Sequence, residues 1–391
     1  MKQYNSNLAL LALSLGGLGI GTTEFAVMGL LPQIADGLNI TIPQAGHIIS
    51  AYALGVVVGA PLFAILTVKW DRKVTLLMLM AVFAVGNTLS AIVANNHMMI
   101  LFRFISGLPH GAYFGIAAVT ATLLVAKSKR GYAVSMVMIG LSVANVISVP
   151  LITLLGQRIG WRWPFLIIGL LGIITMVAIT FAVPRVAAHN TSSITKELTA
   201  LKNPKVLITL LTGIIAFGGS FAVYSYIAPT MTDVTGFKPA TITIILSIYG
   251  MGMVAGTYLA GKLTDWSVKN SFYISGFGTL ISFLIFTIAV HNKIATTIMV
   301  FFIGATIAVY VTPFQARLMD VANEAQNLAT SLSHSALNIA NALGAWLGGL
   351  VIAAGYGYVA PTWVGAALAL AGIICAYFMF RMDQNPKEKS A

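Results

Sequence analysis

A single acidic side chain interrupts the first long apolar stretch of the sequence. Glu24 lies within the run from Leu8 to Pro32, which carries no other charge. An ionisable group inside a membrane span costs at least ~2.5 kcal/mol on insertion scales, so its presence needs a partner or a function. Burial in a low-dielectric cavity favours the protonated carboxyl group, which can then load and unload a proton as access changes. We therefore predict that Glu24 carries a proton, with a structural ion pair as the alternative.

Two basic residues of a later apolar run are candidate partners of this acid. Counting 1.5 Å per residue, Glu24 and Arg103 lie at comparable depths, roughly 10 Å below the outer ends of their runs, so they can pair. Arg103 is predicted to tune Glu24 or to hold substrate, with anchoring near the interface as the alternative. His110, two turns deeper, is a candidate proton relay because histidine titrates near neutral pH; a neutral, hydrogen-bonded histidine fits equally well. Gly107 and Gly111 share this face and favour close helix packing.

A second set of polar residues can bind a small polar solute. The repeated pair Ala-Asn places Asn145 and Asn341 at equivalent positions of two apolar runs, and the later run also contains His334 and Asn338. Such side chains can hydrogen-bond a neutral polyol or a polar drug, and they can equally tie helices together. Further candidates for substrate binding are Tyr52, Tyr224, Tyr226, Tyr249 and Gln315.

Other chemistries have no support in the sequence. It lacks the phosphate-binding pattern G-x-x-x-x-G-K-[ST], the H-E-x-x-H pattern and any cysteine–histidine metal spacing. We therefore expect no enzymatic activity, no metal and no cofactor, and a proton gradient as the energy source. The one cysteine, Cys375, excludes a disulfide within the chain.

The composition is that of an integral membrane protein. Hydrophobic residues make up 58% and charged residues 8% of the 391 residues, against about 25% charged in soluble proteins, and the mean hydropathy is +0.90. The net charge of +12 comes from short basic clusters between apolar runs, so no nucleic-acid partner is expected. At about 20 apolar residues per span, the chain contains twelve: 8–31, 44–66, 74–94, 98–125, 131–155, 161–183, 206–230, 241–263, 271–290, 294–316, 327–354 and 358–380.

The distribution of basic residues predicts the topology. With both termini on one side, the opposite side and its rim hold five of the 22 lysines and arginines, and the terminal side holds the other 17. By the positive-inside rule both termini are cytoplasmic, in a plasma membrane that would be the inner membrane of a bacterium. The hydrophilic interval 184–205 is predicted to link two six-helix bundles, 1–183 and 206–391. A monomer in contact with lipid is expected.

An internal repeat supports two halves. "SAYALGVVVGAPLFAILT" (50–67) matches "SIYGMGMVAGTYLAGKLT" (247–264) at a shift of 197, and "LSVAN" (141–145) matches "LNIAN" (337–341) at 196. "EFAVMGLLPQIAD" (24–36) matches "SFAVYSYIAPTMTD" (220–233), which places Ser220 opposite Glu24. A cleaved signal peptide at 1–31 is the rival reading, but the second copy lies in mid-chain. Parallel copies of six spans predict a pseudo-axis along the membrane normal and a site near the midplane.

Several motifs carry a resemblance to a known family. "GAPLFAILTVKWDRK" (59–73), "RFISGLPHGAYFG" (103–115), "GLSVANVISVPLITLLG" (140–156) and "TEF" (23–25) resemble signatures of the major facilitator superfamily. Within it, the chain is similar to the twelve-span drug:proton antiporters, in the branch of sugar efflux transporters and arabinose-efflux-like permeases. The resemblance implies efflux of a sugar or drug-like molecule in exchange for protons by alternating access. A proton-independent facilitator, with Glu24 structural, is the alternative, and a transporter-like sensor is a more distant one.

The same resemblance implies a conformational latch. The family usually has aspartate at the position of Val68 and glycine at that of Asp71, whereas Asp265 of "GKLTDWSVK" (261–269) stands where the family's latch carboxylate caps a helix and pairs with basic residues. In the first half either Asp71 substitutes or the latch is weaker. The latch residues implied are Lys69, Asp71, Arg72, Lys73 and Asp265.

Overall fold

Helices occupy nearly all of the chain that the computed structural model describes, which is residues 5–67, 69–126, 129–185, 203–322 and 326–384. No strand occurs in these described ranges. Eleven helices within them are long and apolar enough to cross a membrane. The predicted all-α polytopic class is therefore confirmed. Eleven helices are found where twelve spans were predicted, because the fourth predicted span is interrupted.

Nine helices form the first half of the described chain. They are α1 (Ser6–Gly29), α2 (Leu31–Leu38), α3 (Ile42–Leu66), α4 (Arg72–Ala91), α5 (Asn96–Gly107), α6 (Pro109–Leu123), α7 (Arg130–Val143), α8 (Val149–Ile159) and α9 (Arg162–Ala182).

The predicted span 98–125 consists of two consecutive helices, α5 and α6. Pro109 begins α6 and has no backbone N–H to offer to the carbonyl of Ile105. The N–H of Leu108 instead lies 3.2 Å from that carbonyl oxygen and 3.3 Å from the one of Phe104. Each piece alone is too short to cross a membrane, which explains why eleven single helices are found.

A second proline shapes the predicted fifth span. Between α7 and α8 the helix widens over Ala144–Ser148 into a turn with i→i+5 hydrogen bonds, directly before Pro150. The wider turn accommodates a proline whose ring would otherwise collide with the preceding turn of an α-helix. Asn145, a candidate substrate-binding residue, lies inside this turn.

Six long helices form the second half of the described chain. They are α10 (Pro204–Ser225), α11 (Ile242–Trp266), α12 (Val268–Ala289), α13 (Lys293–Ala322), α14 (Gln326–Val351) and α15 (Ala360–Arg381). Single turns at Ile227–Pro229 and Thr230–Val234 follow α10.

Residue contacts divide the described chain into two compact units. The first contains the residues before the gap at 186–202 together with Tyr226–Thr232 and Phe237–Ser247, and the second contains the remaining residues from Asn203 onward. In the first unit α1 packs on α7 and α9, α4 on α9, and α3 on α5; in the second, α10 packs on α14 and α15, and α12 on α13. The two short segments make this division differ from the one expected from the repeat. Most of the predicted linker 184–205 lies outside the described residues.

The repeat is visible in equivalent glycine contacts of the two units. A Cβ atom at Gly107 would overlap the carbonyl oxygen of Tyr52, and one at Gly304 would overlap that of Tyr249. The two glycines are 197 positions apart in the sequence, and so are the two tyrosines. In each unit two helix backbones are therefore in direct contact, and α5 of the first unit corresponds to the first part of α13 in the second.

We expect Gly107→Val to destabilise the protein by about 3 kcal/mol, because the new side chain must displace the backbone of α3. The measurement is the thermal unfolding of the purified protein in detergent. Gly261→Val is the matched control, since a Cβ atom there meets nothing within 4 Å. Equal melting temperatures for the two variants would contradict the close approach of α3 and α5.

Candidate functional site

Glu24 is enclosed by the first unit. It lies on α1, which packs against α7 and α9, and only 7% of its surface is exposed. Among the described residues, Glu24 is the one buried acid and Arg103 is the one buried lysine or arginine. The two ionisable residues that the sequence singles out are therefore both withdrawn from the surface.

Arg103 is completely buried and is held by the residue next to Glu24. Its Nη1 donates to Oγ1 of Thr23 at 2.8 Å, and its Nη2 donates to the carbonyl oxygen of Thr23 at 3.0 Å. The Thr23 hydroxyl in turn donates to Oδ1 of Asn87 at 2.5 Å, and Nδ2 of Asn87 donates to the carbonyl oxygen of Phe83 at 2.9 Å. A chain of hydrogen bonds thus connects α5, α1 and α4.

No ion pair within 4.0 Å joins Glu24 to Arg103 in the described part of the chain. The two groups are near enough for their charges to interact, but the guanidinium hydrogen-bonds the neighbouring threonine. Its Nε has no hydrogen-bond partner. The expected pairing is therefore an electrostatic interaction between neighbours without direct contact, and a donor of Arg103 remains unused.

Tyr52 connects Arg103 to His110. The guanidinium carbon of Arg103 lies 4.3 Å from the centre of the Tyr52 ring, a cation–π contact. The Tyr52 hydroxyl lies 3.0 Å from Nδ1 of His110, whose ring packs edge-on against Phe114 with centroids 5.3 Å apart. The structure thus brings together Glu24, Arg103, Tyr52 and His110, which come from α1, α5, α3 and α6.

Thr23 and Asn87 are the members of this cluster that are absent from the predicted site. A sequence signal existed for Asn87, because an amide within the apolar span of α4 must find hydrogen-bond partners. Thr23 offered a weaker signal, since a threonine in a helix can satisfy its hydroxyl on its own preceding turn. Their contact depends on the relative rotation of α1 and α4.

The amide of Asn145 is only partly satisfied. The side chain is 8% exposed, and its Nδ2 donates to the carbonyl oxygen of Leu141 at 3.2 Å, while its Oδ1 has no partner. On the same widened turn, the Ser148 hydroxyl lies 2.8 Å from the Thr22 hydroxyl, which fixes the turn against α1. Asn145 therefore retains an acceptor that a ligand can use.

The predicted polar residues of α14 lie on one helical face of the second unit. His334, Asn338 and Asn341 are spaced by four and three positions, as neighbours on a helix surface are. Asn338 donates through Nδ2 to the carbonyl oxygen of His334 at 3.0 Å, but its Oδ1 has no partner. Asn341 is fully buried, and neither of its amide atoms has a partner. Such groups are costly unless a ligand or water satisfies them.

The remaining candidates for substrate binding lie far apart in the sequence. The rings of Tyr224 and Tyr249 are stacked with centroids 4.2 Å apart and an angle of 22°. Gln315 is half-buried on α13. Tyr226 is fully buried and belongs to the first unit. No group of three or more His, Cys, Asp or Glu residues in the described ranges is arranged to hold a metal ion.

Comparison with known proteins identifies the family. The family model of the Major Facilitator Superfamily matches residues 13–326 and 220–391 of this chain. The inner membrane transport protein YdhP of Escherichia coli K12 is 42% identical over 377 residues, which cover 96% of each chain. The chain belongs to the Major Facilitator Superfamily.

More distant members have names that mention small molecules. The chloramphenicol resistance protein of Streptomyces lividans is 29% identical over 374 residues, 95% of each chain. The probable sugar efflux transporter of Helicobacter pylori G27 is 28% identical over 372 residues, 94% of this chain and 93% of that one. Because the family consists of transporters and not of enzymes, the prediction of a non-enzymatic membrane transporter is confirmed.

A solved structure shares the fold. The D-xylose–proton symporter aligns with a TM-score of 0.79 over 95% of this chain and 97% of that chain, at 17% identity. This confirms the predicted major facilitator fold. At this identity the likeness extends to the fold alone.

The residues that the resemblance implies for a latch differ in their contacts. Asp71 caps α4 by accepting from the backbone N–H groups of Lys73 at 2.8 Å and Val74 at 3.4 Å. The Lys73 ammonium donates to the carbonyl oxygen of Thr180 at 2.6 Å, at the end of α9. Lys69 is exposed. Asp71 thus performs in the first half the capping that the resemblance assigns to the missing aspartate.

Asp265 does not have the capping role that the resemblance implies. It lies exposed within α11, and it makes no ion pair with the described residues. The cap of the following helix, α12, is the hydroxyl of Ser267, which accepts from the N–H of Asn270 at 3.2 Å. The N-cap residue Ser267 lies two positions after Asp265, so the Asp265 carboxylate does not stand at the cap.

We expect Thr23→Val to destabilise this transporter by about 2 kcal/mol, because a buried charged group loses a hydrogen-bond acceptor. Thr175→Val is the control, since the buried Thr175 hydroxyl bonds only to its own helix, at Leu171; it should lose about 1 kcal/mol or less. Thermal unfolding in detergent measures both. A loss for Thr23→Val no larger than that of the control would show that Arg103 does not depend on the threonine.

Proposed function

We propose that the protein exports a small polar molecule from the cytoplasm in exchange for protons, by alternating access, with Glu24 as the proton carrier. The observation that carries the proposal is the buried, unpaired position of Glu24 beside a buried arginine that is bonded elsewhere. An ion pair stabilises the deprotonated form of a carboxyl group and so hinders proton uptake. Glu24 has no such ion pair and can take up and release a proton. Both termini are placed in the cytoplasm by the positive-inside rule.

Arg103 supports the cycle by changing partners. When Glu24 holds its proton, the guanidinium stays on Thr23. When Glu24 releases the proton, the carboxylate next to Thr23 attracts the guanidinium, whose free Nε offers a further donor. The planar fork of arginine suits such an exchange, because it can bind a carboxylate with two parallel hydrogen bonds. Protonation of Glu24 thereby becomes a change in the contacts between α1 and α5.

Tyr52 connects this pair to a second titratable side chain, that of His110. Neutral histidine can accept a proton on one ring nitrogen while it hydrogen-bonds through the other. The Tyr52 hydroxyl joins Nδ1 of His110, and the Tyr52 ring lies against Arg103. A proton that arrives at His110 changes the charge beside Tyr52, which contacts Arg103, the charged neighbour of Glu24.

The substrate is a neutral or singly charged molecule with hydrogen-bonding groups. Unused amide atoms on Asn145, Asn338 and Asn341 can bind hydroxyl, amide or carbonyl groups. The names of two relatives, a chloramphenicol resistance protein and a probable sugar efflux transporter, refer to small molecules that carry hydroxyl groups. An inner-membrane location is supported by the name of YdhP.

We expect Glu24→Gln to abolish gradient-driven transport while counterflow exchange at equal pH persists. The assay uses purified protein in liposomes with an imposed pH gradient and radiolabelled D-xylose, L-arabinose or chloramphenicol. Asp36→Asn is the matched control, because it replaces an exposed carboxylate by an amide and should leave driven transport unchanged. Normal gradient-driven transport by the Glu24 variant would refute the carrier role and favour a facilitator in which Glu24 is structural.

Tyr52→Phe tests the connection to His110 separately. The variant keeps the ring under Arg103 and removes one hydrogen bond, which is worth about 1 kcal/mol, so gradient-driven transport should slow by a factor of about five. Counterflow at equal pH should change less. If both rates fall together, Tyr52 contributes to substrate binding or to stability and does not couple His110 to Glu24.

A further inference from the structure

The second unit contains a small internal cavity with a polar wall. It lies among α10, α12, α13 and α15, and Ser220, Thr279, Tyr310 and Phe217 are among the residues that line it. Its interior has room for about one water-sized group. No residue that lines it carries a charge.

Tyr310 provides an unsatisfied donor at this cavity. The residue is 4% exposed, and its hydroxyl is buried without a hydrogen-bond partner. Its ring packs edge-on against Phe217 and Phe272, with centroids 5.1 Å and 5.0 Å apart. Because these contacts hold the ring, the hydroxyl cannot swing toward a distant acceptor. A buried phenol in this position calls for a bound oxygen.

In the first unit, the equivalent tyrosine has a hydrogen-bond partner for its hydroxyl. At the shift of 197 defined by Gly107 and Gly304, Tyr310 corresponds to Tyr113, whose hydroxyl donates to the carbonyl oxygen of Leu13 at 2.8 Å. That hydroxyl passes so close to Gly16 that any Cβ atom there would overlap it.

The second unit has a residue with a side chain at the position that corresponds to Gly16. At the shift of 196 that places Ser220 opposite Glu24, the counterpart of Gly16 is Thr212. Thr212 is buried and its hydroxyl donates to the carbonyl oxygen of Ile208. The Tyr310 hydroxyl makes no bond equivalent to the one between Tyr113 and Leu13, and Tyr310 lines the cavity together with Ser220.

We propose that this cavity is a hydroxyl-binding pocket that holds one neutral O–H group, supplied either by a water molecule or by a hydroxyl of a transported solute. Tyr310 donates to the ligand oxygen, and the hydrogen of the ligand O–H group is donated to the hydroxyl oxygen of Ser220 or of Thr279. A cation is not expected because the lining offers no negative charge. The solute source rests on the proposed transport function, whereas the water source does not.

Tyr310→Phe tests the pocket by two measurements on the full-length protein. If a solute hydroxyl is bound, KM for counterflow of D-xylose, L-arabinose or chloramphenicol should rise about two- to tenfold. If water is bound, KM stays constant and the melting temperature in detergent falls by about 2 °C or more, because the water loses a donor. Ser220→Ala should act in the same direction by the same measurement.

Tyr113→Phe is the matched control, since it removes the equivalent hydroxyl from a satisfied position. It should lower the melting temperature by leaving the Leu13 carbonyl unpaired, without a change in KM. An unchanged or higher melting temperature for Tyr310→Phe, together with an unchanged KM, would overturn the proposal, because removing an unsatisfied hydroxyl from an empty cavity costs nothing. If no probe is transported at all, the proposed function fails, and the melting temperature alone decides whether the pocket binds water.

Discussion

The burial of one arginine constrains the first unit more than any other polar interaction. A guanidinium removed from water must be hydrogen-bonded, because the cost of an unsatisfied buried charge amounts to several kcal/mol. Arg103 meets this requirement with two bonds to Thr23 and the face of Tyr52. These contacts fix α1, α3 and α5 against one another. Since the satisfying partner is Thr23, the adjacent carboxyl of Glu24 is buried in the same place without being consumed by an ion pair.

The two halves share their close helix contacts but differ in the ionisable side chains at equivalent positions. Gly107 and Gly304 contact equivalent backbone carbonyls, so these helix contacts are repeated in both halves. At the same shift of 197, however, Arg103 falls on Val300 and His110 on Ile307, and Glu24 falls on Ser220 at 196. Glu24, Arg103 and His110 are therefore replaced by apolar or hydroxyl side chains, whereas Tyr52 is retained as Tyr249. Close packing depends on small residues and is insensitive to these changes, whereas proton exchange depends on the ionisable groups alone.

Features that follow from local composition could be predicted from the sequence. Features that depend on how neighbouring helices are oriented could not. Long apolar runs, the repeat and the unusual acid Glu24 are all properties of the chain read residue by residue, and the spans and the clustering of Arg103 and His110 followed from them. The choice of Thr23 over Glu24 as hydrogen-bond partner, and the role of Asn87, depend on rotations of about one residue between helices. Spacing along one helix does not contain that information. The capping by Ser267 beside Asp265 is a difference of two positions, within the usual uncertainty of a helix boundary.

The interruption of the fourth span places the charged group and the titratable group on separate helices. Arg103 ends up on α5 and His110 on α6, with Pro109 between them. Tyr52 of α3 contacts both, through its ring and its hydroxyl, and its backbone carbonyl lies against Gly107, directly before the interruption. Any change in the angle between α5 and α6 must therefore alter at least one contact of Tyr52. A change in the contacts of His110 or Arg103 is therefore connected, through the side chain of Tyr52, to the angle between α5 and α6.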